Sequence, residues 1–157
     1  MGSSGQTEVE VGYRALGRLG LLVHPEGEIS SSEWDTVLLE IKAHLPELRL
    51  MILCSDGRLT PTQRNAVTLL QQQHPFRIAT FTDSPHTRGA MTALEWFGVQ
   101  VDVFPTAELS LGLAKLGATT DEIRGVRMSM RQIQRDLSWR ASSVRQLAIK
   151  STKAKAG

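Results

Sequence analysis

Residues 48–70 read LRLMILCSDGRLTPTQRNAVTLL, and this stretch decides the fold. Leu48 to Cys54 runs without polar alternation after Arg49. That is the pattern of a strand covered on both faces, usually a central parallel one. Ser55-Asp56-Gly57 turns the chain. Thr60 then stands as an N-cap, with Pro61 at the first helical position and Gln63 completing a capping box. Val67, Leu69 and Leu70 follow on the helix. In an open α/β sheet, ligands and partners meet the chain at the carboxyl ends of strands. Ser55 to Gln63 is therefore the first candidate for a recognising surface.

The same grammar repeats on either side. Val9 to Leu16 and Leu19 to His24 form apolar runs around Gly17-Arg18, which predicts a β-hairpin. Ser30 with Glu33 opens a helix whose apolar stripe is Trp34, Val37, Leu38, Ile41 and Leu45, and Pro46 stops it. Phe76 to Phe81 is the next strand. Ser84-Pro85 starts a helix with Met91, Leu94 and Phe97 on its apolar side and Gly98 after it. Val99 to Phe104 is a strand, and Thr106 to Leu116 a short helix that Gly117 ends. The order β-β-α-β-α-β-α-β-α predicts an α/β fold. Its sheet is mixed and mostly parallel, with an opening hairpin and packed helices.

The C-terminal segment has another pattern. Thr119 with Glu122 makes a third capping box, and Ile123, Val126, Met130, Ile133 and Leu137 recur in steps of three and four. Arg140 interrupts the register, which Val144 and Leu147 resume. The spacing predicts a long amphipathic helix over 119–148, about 45 Å if continuous. Its seam suits a second copy of the chain, the chain's own body or another partner, and spacing leaves the three open. The predicted organisation is a disordered N-terminus (1–8), a globular domain (9–117), this helix, and a basic disordered tail (149–157).

Apolar content of 41% and charge of 22% over 157 residues fit a soluble domain. No apolar run approaches the roughly 18 residues of a membrane span. The first ten residues lack the basic-then-apolar order of a secretory signal. A single Cys54 fits a reducing cytoplasm and reads as a small buried hydrophobe. The expected location is cytoplasmic. The net charge of +2 conceals a division. Residues 1–118 hold nine basic and thirteen acidic residues, a net of −4, whereas 119–157 hold nine and three, a net of +6. The basic tail suits contact with an anionic surface or nucleic acid, although Trp139 alone gives it little aromatic interleaving.

No catalytic residues, cofactor or metal are predicted. The chain has no Gly-x-Ser-x-Gly elbow, Walker loop or dinucleotide fingerprint. His24, His44, His74 and His86 are scattered, without metal-ligand spacing, and are expected at surface or loop positions. Glu26, Asp56 and Asp83 fall near strand ends. They lack the acidic pair and Lys-Pro of phosphoacceptor receiver domains, and read as solvated turn residues. Ser55, Asp56, Thr60 and Thr62 form a candidate phosphorylation or partner loop, because open N–H groups at a helix start accommodate phosphate.

The element order and the closing string VDVFPTAELSLGLAKLG (residues 101–117) resemble the STAS family, the sulfate-transporter and anti-sigma-factor-antagonist domains, over residues 9–117. LRLMILCSDG stands where that family carries its central strand and regulatory loop. The resemblance implies a SpoIIAA-like fold and a non-catalytic role in binding protein partners, a regulatory kinase or signalling protein among them. Anti-sigma antagonists carry an Asp-Ser-Ser-Gly-like string whose serine is phosphorylated. Here Thr60 lies closest to that position, and the serine pair and following glycine are absent. The alternatives are a structural or oligomerising module built on the C-terminal helix, and a small-ligand or lipid carrier.

Overall fold

The computed structural model describes residues 12–24, 29–55, 60–85, 87–89, 92 and 100–136, with the backbone alone at Ser55. Five strands form one sheet: β1 (Gly12–Leu16), β2 (Leu19–His24), β3 (Leu50–Ser55), β4 (Arg77–Phe81) and β5 (Val101–Phe104). They lie side by side in sequence order, antiparallel between β1 and β2 and parallel thereafter. The fold is thus α/β with a mixed, mostly parallel sheet. The predicted hairpin turns at Gly17, whose φ of +60° is open to glycine without the Cβ penalty other residues carry. Helices α1 (Ser31–His44), α2 (Pro61–Gln73) and α3 (Leu109–Lys115) follow, α3 entered through a 3₁₀ turn at Thr106–Glu108. A further helix, α4, occupies 120–136, and residues 85, 87–89 and 92 are also helical.

Parallel neighbours that step in one direction with right-handed crossovers place their connecting helices on one face. Accordingly, Trp34, Val37 and Ile41 of α1 share a core with Val67 and Leu70 of α2, over Leu22, Met51, Leu53 and Ile78. The opposite face carries Leu19, Leu21 and Val23 of β2, Leu50 and Ile52 of β3, and Phe81 of β4. Successive residues of β3 therefore enter opposite cores, which is why the run 48–54 lacks polar alternation.

That second face is covered by α3 and α4. Leu109 and Leu113 of α3 are buried in it, as are Val126 and Ile133 of α4, at 0% and 3% exposure. Ile123 and Met130 pack against the same cluster. Of the three options the spacing left open, the chain's own body takes the seam over Ile123, Val126, Met130 and Ile133. Leu137, Val144 and Leu147 lie outside the described residues.

Two glycines permit this close approach. A Cβ on Gly112 would stand 2.8 Å from Phe81 Cε1 and 3.0 Å from Phe104 Cγ, so α3 rests directly on that stacked aromatic pair. A Cβ on Gly12 would overlap Ile133 Cγ2, so α4 rests on β1 in the same manner.

Candidate functional site

The carboxyl edge of the sheet brings the ends of β2 to β5 together. In register, His24 faces Ser55 and Phe81 faces Phe104. Thr82 closes β4, its N–H donating to the Phe104 carbonyl at 3.0 Å and its Oγ1 accepting from Ser84 N at 3.0 Å. Asp83 Oδ1 accepts from Thr106 N at 3.1 Å, tying the end of β4 to the 3₁₀ turn. Of the acidic rim, then, Asp83 is engaged in a backbone tie, and Glu26 and Asp56 lie outside the described residues.

Beside this edge α2 begins with the predicted capping box. Thr60 Oγ1 accepts from Gln63 N at 3.2 Å, and Gln63 Oε1 accepts from Thr60 N at 3.0 Å. Gln63 is buried, and its Nε2 donates to the Ile29 carbonyl at 3.5 Å, joining the start of α2 to the segment before α1. Pro61 and Thr62 are exposed. The structure therefore places Ser55 at the end of the central strand, Thr60 at a fixed helix cap and Thr62 on its open side. Asp56 falls outside the described residues. Pro61 has no N–H and the Gln63 N–H is taken by Thr60 Oγ1, so at this helix start the Thr62 N–H is the donor left to meet an acceptor on a partner.

The histidine expectation needs correction at two positions. His24 and His44 are buried, at 1% and 8% exposure. His44 is held on both ring nitrogens: Nε2 bonds the Gly17 carbonyl, and Nδ1 lies 2.7 Å from the Tyr13 hydroxyl. A carbonyl only accepts, so Nε2 carries a proton, and in that tautomer of the neutral ring Nδ1 accepts from the Tyr13 hydroxyl. Burial, and secondarily the Glu40 carboxylate, push the Tyr13 phenol above its ordinary range and keep it a donor. Gly20 makes room for it, because a Cβ there would lie 2.5 Å from the Tyr13 hydroxyl. His74 is half-buried at the end of α2, and His86 lies outside the described residues.

Sequence reading also missed the opposite edge. Arg18, Arg49 and Arg77 stand at or just before the starts of three neighbouring strands. With Gln71, Gln72 and Gln100 they line an open cavity of about 650 Å³. Two are compensated: Arg18 Nε and Nη2 grip Glu122 at 2.8 and 2.7 Å, and Arg77 Nη2 reaches Asp102 at 3.1 Å. Arg49 Nη1 donates to the Leu48 carbonyl at 3.3 Å and lies 3.4 Å from His74 Nε2. The sequence signal was an arginine at the starts of β2, β3 and β4, readable only once those strands were known to be neighbours.

Cys54 is half-buried, its Sγ 3.6 Å from Met130 Sδ, so the thiol faces α4. Among the described residues no group of three or more His, Cys, Asp or Glu is placed to hold a metal ion, and no helix is long and apolar enough to cross a membrane. No family model, curated protein or solved structure matches this chain.

Proposed function

We propose that this chain is a non-catalytic, STAS-type α/β domain that binds a protein partner through residues 55–63 and the start of α2. One observation carries the reading: the α2 capping box sits at the carboxyl end of the central strand, anchored through Gln63 and open to solvent at Thr62. A partner meeting the start of α2 finds a helix end already fixed by its cap, so little ordering entropy there opposes association. A phosphate on Thr60 or Thr62 would add about two negative charges at the positive end of α2, changing which partners fit without opposing the helix.

Two variants test it against partners co-purified from the native cell. Thr60→Glu is expected to change the captured partner, and Thr60→Ala to weaken the same partner after losing about 1 kcal/mol of cap. Identical capture by both variants and the unaltered chain overturns the reading. The carrier alternative has less support, because buried side chains occupy both faces of the described sheet. Assembly through the C-terminal helix falls to Leu137, Val144 and Leu147, since Val126 and Ile133 are already covered by the sheet.

A further inference from the structure

The outer face of α4 is organised differently from its buried seam. Arg124, Arg127, Arg131 and Arg135 recur at steps of three, four and four, and all four are exposed. At 3.6 residues per turn they fall within roughly 80° of arc and form a line about 16 Å long. Their existing contacts are slight. Arg124 meets Asp121 at 3.5 Å on the surface, and Arg127 meets Ser110 Oγ at 3.3 Å. Arg131 and Arg135 make no ion pair among the described residues. The line is also fixed, because the other side of α4 is buried on the sheet and Arg18 clamps its start. From Arg124 to Gly157 the sequence has nine basic residues against one acidic, Asp136, while residues 1–118 are net −4.

We infer that this arginine line is a docking surface for the phosphate backbone of duplex nucleic acid, bound without regard to sequence. A rigid row of guanidinium forks complements a regular row of phosphates, and arginine matches phosphate oxygens two at a time. The 16 Å line spans about five base-pair steps at roughly 3.4 Å each. The described line has no aromatic residue on which unpaired bases would stack, which disfavours a single strand. A membrane surface fits less well. The apolar side that an interfacial helix inserts is already against the sheet, leaving Met128 as the exposed large apolar side chain of α4.

The test uses the full chain and a fluorescein-labelled 20-base-pair DNA duplex of random sequence, with anisotropy followed between about 50 and 200 mM salt. Four phosphate contacts predict a slope of log affinity against log salt near about −3.6, steeper if the tail adds more. Arg131→Gln with Arg135→Gln is expected to reduce that slope by about 1.8. Binding at the lowest salt should weaken at least ~10-fold, with no change in the urea unfolding midpoint. Arg88→Gln, an exposed arginine elsewhere, is expected to leave affinity within about twofold. Absence of saturable binding at low salt, or a slope unmoved by the double variant, overturns the inference. So does capture by phosphatidylserine vesicles without capture by the duplex.

Discussion

The Gly17-Arg18 turn is held from both faces of the sheet, by ties of opposite character. On the crossover face, His44 at the end of α1 bonds the Gly17 carbonyl and is fixed by the Tyr13 hydroxyl, a mostly buried tie that contains no ion pair. On the other face, Arg18 reaches the Gly117 carbonyl and grips Glu122 of α4 with two hydrogen bonds, charged and partly exposed to water. Buried neutral hydrogen bonds matter because leaving one partner unsatisfied is costly, whereas exposed ion pairs contribute little. The two ties thus aim two differently attached helices at one hairpin. What attaches α4 is mainly the apolar seam, and the ion pair sets where that seam begins.

The largest test of this contrast removes apolar cover from each face in turn. Ile41→Ala and Ile133→Ala each delete a buried side chain, one in α1 and one in α4. Each is expected to destabilise the chain by about 2–4 kcal/mol in urea unfolding, with an unchanged denaturant slope. A cost for Ile133→Ala below about 0.5 kcal/mol would make α4 a detachable appendage and break the comparison.

The sequence was most legible where local chemistry sufficed. Thr60 with Gln63, Thr119 with Glu122 and Ser30 ahead of Glu33 all form caps as their spacing predicts, because a cap needs only residues three apart. It was least legible where partners lie far away in the chain. Periodicity identifies the apolar side of α4 but not what that side meets. A usable signal existed nonetheless. Leu19, Leu21, Leu50 and Ile52 alternate with other apolar residues, so both faces of the sheet need cover. Sequential right-handed crossovers fill only one face, leaving the C-terminal helices to cover the other. His44 gave no such signal, since a histidine at the end of a helix also suits the surface. The loop itself was legible at Thr60 and Thr62 as a helix start, whereas its anchoring through Gln63 to Ile29 depends on tertiary contact.

The buried tie supplies the next test. Tyr13→Phe keeps the ring but leaves His44 Nδ1 without its donor in a buried site. The expected cost is about 1–3 kcal/mol, with little dependence on salt because no net charge is lost. Thermal unfolding at low and high salt checks both halves of that expectation. A loss as small as that for a surface change would mean that His44 finds another donor, and the distinction between the two ties would weaken.

The exposed tie is expected to give the smallest effect and a specific pH window. The Arg18 hydrogen bonds lower the Glu122 carboxyl from 4.5 to about 2, assisted by the Thr119 backbone N–H. A depressed carboxylate stabilises the fold above its unfolded pKa, so this contribution is complete above about pH 4.5 and is lost as pH falls through about 2. Solvent exposure limits it to about 1 kcal/mol or less at neutral pH. Glu122→Gln should therefore narrow its stability deficit relative to the unaltered chain as pH falls from 5 towards about 2. It should also narrow in about 1 M salt, where the screening length contracts to about 3 Å. Glutamine still serves the Thr119 capping box, so the substitution removes the charge and largely preserves the cap. A deficit that is absent, or that stays constant across pH and salt, would mean that the Glu122 charge contributes nothing to holding α4, leaving that task to the apolar seam.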